Sequence, residues 1–214
     1  MARPKTTYSM FRSHGLLLYM KTIGYFGDSF CASKNTQSWC VLLANKLNLE
    51  IKHWGTGGAS IWNTILEFNQ IKIKPDVIIF CWTNPNRLYH PTLPLTPNAV
   101  PIATEDPNVF KAAESYYTYL QNDDKDNLAY TYALQWFDQN VLSEFENEHK
   151  IIQSWSFFPA DITLNTGDTV DFGMMQFAWG GNKPTDDYKD DINLFNHMNA
   201  KQNQQWADMI EDRI

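Results

Sequence analysis

Six apolar residues in a row, Val77 to Trp82 (VIIFCW), constrain the fold of this chain more than any other stretch. A strand with one wet face alternates apolar and polar residues. An unbroken run of this length reads instead as a strand covered on both faces, the interior position of a parallel sheet. The segments around it fit that position. KTIGYFG (21–27) and EIKHWG (50–55) read as strands before it, and KIIQSWSFF (150–158) reads as one after it. Between them, TQSWCVLLANKLNL (36–49) places Trp39, Leu42, Leu43, Lys46 and Leu47 at three- and four-residue spacing, and SIWNTILEFNQI (60–71) has the same period, starting near Ala59 or Ser60. Helical patterns follow over about 107–121 and 125–149, the second with Leu134, Phe137, Val141 and Phe145 as one stripe. A last one closes the chain from His197, with Trp206, Met209 and Ile210 on one face. Strands alternating with helices predict an α/β domain with a parallel sheet and right-handed crossovers.

Such sheets bind ligands beyond the carboxyl ends of their strands. Three polar corners fall there: Gly27-Asp28-Ser29 after the first strand, GTGG (55–58) after the second and WTN (82–84) after the third. The 25 residues from Asn84 to Asn108 are rich in proline and cannot form a helix or an inner strand, so they are expected to be a functional loop, a lid or a surface excursion.

Composition narrows the classes. The chain has 214 residues, enough for one domain with its own core, and 43% apolar against 19% charged residues fits a globular protein. The net charge of −7 has the wrong sign for a general nucleic-acid footprint. Eight tryptophans and ten tyrosines suit a packed core or an aromatic contact surface. The three cysteines, Cys31, Cys40 and Cys81, show no zinc-like spacing, and the latter two lie in apolar runs as small buried hydrophobes. The acidic stretch TDDYKDD (185–191) lacks the spacing and glycine of an EF-hand and reads as a solvated loop. No metal site is expected. There is no P-loop and no GxGxxG, so no nucleotide cofactor is expected. The apolar run GLLLYM near the N-terminus is too short for a signal-peptide core or a membrane span, which makes a cytoplasmic location the default expectation. Residues 1–19 read as an extension and 20–214 as the domain.

Ser29, at a strand exit after a glycine, is a candidate nucleophile. It needs a base, a group to orient that base and donors for an oxyanion. Gly58 can bring its N–H close to a ligand, Asn84 can offer a side-chain N–H, and His197 can return to the same edge. Asp28 reads as structural, bonding the amides of its own turn. Arg87, Tyr89 and His90 follow Asn84 on the loop as candidates for substrate contact. His53 reads as packing.

These blocks resemble a family. GDSF (27–30) is similar to the GDSL signature of the SGNH hydrolases, with Ser29 in the nucleophile position. WGTGGASIWN (54–63) resembles their second block, with Gly58 on the oxyanion glycine. DVIIFCWTNPNR (76–87) resembles the third, with Asn84 on the asparagine. NHMNAKQNQQWADMI (196–210) resembles the last, with His197 on the catalytic histidine. The resemblance runs over residues 20–214 in the family's order. It implies a three-layer α/β/α sandwich with a flavodoxin-like parallel sheet. It also implies a metal-free serine esterase acting on a lipid, a short-chain ester or a carbohydrate ester, the polar and aromatic loop after Asn84 favouring carbohydrate. Two departures stand out. The third block usually continues Gly-x-Asn-Asp, where this chain has Trp82-Thr83-Asn84-Pro85. The last block normally carries an aspartate three residues before the histidine, where this chain has Leu194. Asp191 is one candidate to orient His197; a backbone carbonyl or Asn193 would leave a Ser–His dyad. The alternative to an enzyme is a non-catalytic module of the same fold that binds carbohydrate or protein.

Overall fold

The computed structural model describes residues 20–97, 106–178 and 198–214. In it, β3 (Val77–Trp82) is buried along its whole length. It pairs with β1 (Thr22–Gly27) on one side and β4 (Lys150–Trp155) on the other, both in parallel. β2 (Glu50–His53) flanks β1, and β5 (Asp168–Gly173) flanks β4, again in parallel. The order β2-β1-β3-β4-β5 is the flavodoxin-like one. The direction of winding reverses between β1 and β3, so a crevice is expected beyond their carboxyl ends.

Alternation along the inner strands builds two cores. Ile23, Tyr25, Val77, Ile79 and Cys81 face one way, against α1 (Trp39–Lys46) and α6 (Ala200–Glu211) through Trp39, Leu43, Trp206 and Ile210. Phe26, Ile78, Phe80 and Trp82 face the other way, against α2 (Ile61–Gln70) and α4 (Asp123–Asn140) through Ile65, Phe68, Leu134 and Phe137. The result is the expected three-layer α/β/α sandwich. α3 (Pro107–Tyr119) stands apart. Its Phe110 and Ala113 pack on Leu95 in a smaller core under the loop that follows β3. That loop is stitched by an antiparallel bridge between Leu88 and Leu95.

Local chemistry sets the helix starts. Ser60 and Asn63 form a reciprocal capping box at α2, as Asn199 and Gln202 do at α6. Asn122 accepts from Lys125 N–H at 2.8 Å to start α4.

Several boundaries differ from those the sequence suggests. α1 spans Trp39–Lys46, and the chain turns at Asn48, with φ of 53°. The helix expected over 125–149 ends at Asn140. Val141 leaves helical geometry, and a short 3-10 turn, Leu142–Glu144, carries Phe145 back to the same core. The stripe Leu134–Phe137–Val141–Phe145 thus predicts shared burial correctly but not one continuous helix. β5 and the short α5 (Met174–Ala178) have no counterpart in the sequence reading. β5 reads DTVDFG, and of its residues only Val170 and Gly173 are buried, so its edge position leaves little apolar signal.

Candidate active site at the strand exits

The register brings Gly27 beside Cys81, and Cys81 beside Ser154. The chain therefore leaves β1, β3 and β4 along one edge. At the first exit Gly27 has a φ of 153°, and a Cβ there would lie 2.3 Å from the carbonyl oxygen of Cys81. Only glycine lets the backbone pass so close to β3. Asp28 follows, and Ser29–Cys31 form one 3-10 turn that Asp28 caps, its Oδ1 accepting from Phe30 N–H at 3.1 Å. Ser29 is half-buried at the first position of that turn.

The next strand exits converge on Asp28. Its carboxylate is wholly buried. Besides Phe30 N–H it accepts from Ser156 Oγ at 2.7 Å, just beyond β4, and from Thr83 Oγ1 at 3.0 Å, just beyond β3. Its one cationic partner among the described residues is Arg87, with Nη1 3.0 Å from Oδ2. The same Nη1 donates to the carbonyl of Ala59 at 3.1 Å, in the turn after β2, and the guanidinium lies over the Phe157 ring at 5.1 Å. A buried carboxylate is tolerated where it is paired and hydrogen-bonded, and Asp28 has both kinds of partner. Two backbone bonds seal the second exit to the first: Gly55 N–H to Cys31 O at 3.1 Å and Thr56 N–H to Gly27 O at 2.8 Å.

The residues singled out in the sequence neighbour members of this network along the chain. Ser29 adjoins Asp28, Asn84 adjoins Thr83, and Gly58 adjoins Ala59. Gly58 has a φ of 76°, and a Cβ there would meet Pro94 Cβ at 2.3 Å. Asn84 is half-buried and lines a cleft of about 540 Å³ between the loops after β3 and β4 and the start of α4. The Arg87 side chain is only 9% exposed and its guanidinium is engaged by Asp28 and Ala59. Tyr89 is exposed. His90 Nδ1 accepts from the N–H groups of Thr92 and Leu93 at 3.2 and 3.0 Å, and its carbonyl accepts from Asn63 at 2.9 Å, which ties the loop to α2. His53 stacks on Phe26 with centroids 4.5 Å apart. His197 and Asp191 lie outside the described residues, as do Asn193, Leu194 and the acidic stretch 185–191.

The sequence reading had Asp28 serve its own turn. The structure adds Ser156, Thr83 and Arg87 to its partners, none of which is close in sequence. A charged residue at the end of a fully apolar strand was the available signal, since burial there demands a partner. Behind the cleft a second buried carboxylate, Asp138, accepts from Gln153 at 2.8 Å and from the N–H groups of Asn165 and Thr166 at 2.8 and 3.1 Å, which fixes the β4–β5 loop on α4. Burial pushes the Tyr130 phenol well up in pKa, with the Asp28 charge adding to the rise and Arg87 opposing it. It therefore stays a neutral hydroxyl at the cleft wall. All three cysteines are buried and unbridged. Burial raises the pKa of Cys31 and Cys40, which makes both poor nucleophiles.

No protein-family model and no curated protein matches the sequence. Among solved structures, the chain aligns with a proposed lipolytic protein of the G-D-S-L family from Desulfitobacterium hafniense DCB-2. The identity is 12%, over 91% of this chain and 99% of that one, with a TM-score of 0.47. It also aligns with a proposed arylesterase from Agrobacterium tumefaciens str. C58, at 12% identity over 91% of this chain and 100% of that one, with a TM-score of 0.42.

Proposed function

We propose that the protein is a serine hydrolase of acyl esters. The observation that carries this reading is the Asp28 network: a fully buried, charge-paired carboxylate draws the exits of four strands together around Ser29. A plain turn needs no such frame. A nucleophile that must be held against oxyanion donors does.

In this reading Ser29 Oγ attacks the acyl carbonyl while His197 takes its proton. The tetrahedral oxyanion is received by the N–H groups of Ser29 and Gly58 and by the Asn84 side chain. Collapse expels the alcohol, to which His197 returns the proton, and water then releases the acid by the same steps in reverse roles. Asp191 is the proposed orienting group for His197. Tyr89 and His90 are the proposed contacts for a carbohydrate alcohol, and Arg87 serves the same substrate indirectly by holding Asp28 and the Ala59 carbonyl. No cofactor enters the scheme.

A fluorophosphonate probe tests it without a substrate guess. The expected outcome is a single adduct on Ser29, mapped by mass spectrometry and absent in Ser29→Ala and His197→Ala. Loss of one oxyanion donor, as in Asn84→Ala, is expected to slow ester turnover by about 10²–10³. A folded wild-type protein that takes no label would transfer the assignment to the non-catalytic binding module.

A further inference from the structure

We propose that the Tyr130 hydroxyl is a specificity contact for the alcohol part of the substrate, and that the cleft beside Asn84 takes a polyhydroxylated alcohol, a sugar. The inference rests on the esterase reading only in that Asn84 joins the cleft to the reacting centre. Tyr130 stands on α4 and is 5% exposed. Its ring belongs to the core between α4 and the sheet, yet the residue also lines the cleft. Its hydroxyl makes no hydrogen bond among the described residues, and the oxygen is not enclosed in the core.

Other buried hydroxyls of the domain are bonded within the protein. Tyr25 donates to Cys40 O at 2.7 Å, Thr83 to Asp28 at 3.0 Å and Ser156 to Asp28 at 2.7 Å. A tyrosine buried this far ordinarily finds a partner. A ring kept for packing alone would be served as well by phenylalanine, which carries no polar atom to desolvate. The Tyr130 hydroxyl therefore points to a partner that enters the cleft. Burial and the nearby Asp28 charge keep its proton on, so it offers one donor and an acceptor oxygen. Around it Asn86 and Asn127 offer amides, and Asp161 offers an exposed carboxylate from the loop after β4. Asp126 lies on the same wall but is already engaged by Lys125 Nζ at 3.2 Å and Tyr116 Oη at 3.3 Å. No Lys, Arg or His lines the cleft. Each hydroxyl of a polyol both donates and accepts, so one such ligand can pair with the phenol, the amides and the carboxylate together. An alkyl alcohol would expel water and leave these groups unpaired, and an anion would meet Asp161. The volume of about 540 Å³ falls in the range of small-molecule sites.

Tyr130→Phe removes the hydroxyl and keeps the ring. Since that hydroxyl has no partner in the protein, the variant is expected to unfold in urea at the wild-type midpoint or slightly above it. A clearly lower midpoint would show the hydroxyl bonded within the protein and overturn the proposal. Two acetyl esters then present six-membered rings with and without hydroxyls: methyl 6-O-acetyl-α-D-glucopyranoside and cyclohexylmethyl acetate. For the full chain, kcat/KM is expected to favour the sugar ester. Tyr130→Phe is expected to reduce that preference by about threefold to tenfold. A wild-type preference for the cyclohexyl ester, or a preference unchanged in Tyr130→Phe, overturns the subsite and leaves the esterase reading standing; the hydroxyl then serves water only. If neither ester is turned over, binding of methyl α-D-glucopyranoside followed by NMR decides. Binding weakened by Tyr130→Phe upholds the subsite while the esterase reading falls. Binding unchanged in the variant, or no binding, overturns the subsite.

Discussion

Asp28 and Arg87 form the buried ion pair of the candidate site. One is wholly buried and the other nearly so, and each is the other's charge partner. Replacing such a pair with apolar residues can be neutral, but removing one member strands a charge in a low dielectric. Arg87→Met is therefore expected to cost about 3–5 kcal/mol in urea unfolding. A cost below about 1 kcal/mol, the range of exposed pairs, would mean the network does not hold the strand exits. The same variant should lower fluorophosphonate labelling at Ser29 even under conditions where it is fully folded, because the frame and not the nucleophile is altered. Ser29 and Asp28 are adjacent in sequence but differ in burial, Asp28 wholly and Ser29 half. Which of the two is buried is decided by the 3-10 turn, whose cap turns the Asp28 carboxylate inward to Phe30 N–H.

The β2–α2 connection shows how an element boundary makes a site. His53 ends the strand, Ser60 caps the helix, and the turn between them carries three glycines, of which the adjacent Gly57 and Gly58 are in different circumstances. Gly58 combines a φ of 76° with close contact to Pro94, whereas a Cβ at Gly57 meets nothing within 4 Å. Gly58→Ala is expected to cost about 1–2 kcal/mol for the left-handed backbone alone, roughly 3–6 °C in Tm for a chain of this length. Gly57→Ala should stay within about 0.5 kcal/mol. Thermal unfolding of the two variants side by side checks this, and equal losses would show that the Pro94 contact and the φ do not govern the turn. The two glycines look alike in GTGG. The left-handed φ of Gly58 and its neighbour Pro94, on a loop 36 residues further on, separate them.

At the scale of the whole sheet, β1 and β3 are clamped at their amino ends as well as at their carboxyl ends. Asp76, just before β3, accepts from Lys21 N–H, Thr22 N–H and Thr22 Oγ1, each at 2.8 Å. Partial burial alone would raise its pKa, but these hydrogen bonds outweigh it and hold the carboxyl below its usual range. A carboxylate whose folded pKa is depressed adds stability above its unfolded pKa, and that stability is lost as pH falls through the folded value. Urea midpoints are thus expected to drop as pH falls below about 4. In Asp76→Asn the midpoint should be lower at neutral pH and its acid slope shallower. An unchanged slope would place the acid sensitivity elsewhere.

The sheet, the paired core faces and the order of the polar corners were legible in the sequence because each depends on short-range pattern. An unbroken apolar run needs two covering layers, a three- and four-residue period needs one apolar face, and a glycine before a polar corner marks a strand exit. Ser29, Gly58 and Asn84 are proposed on the same grounds, with the family resemblance adding their expected roles. Boundaries at Asn140 and Lys46 and the edge strand β5 were not legible, since burial of Phe145 or Val170 can be met by more than one backbone path. The partners of Asp28, the inward turn of Arg87 and the acidic cleft of Asp126 and Asp161 belong to the tertiary structure alone. They join segments up to 128 residues apart, and a charge finds its compensation in space, where hydrogen bonds and Coulomb attraction act, rather than along the chain.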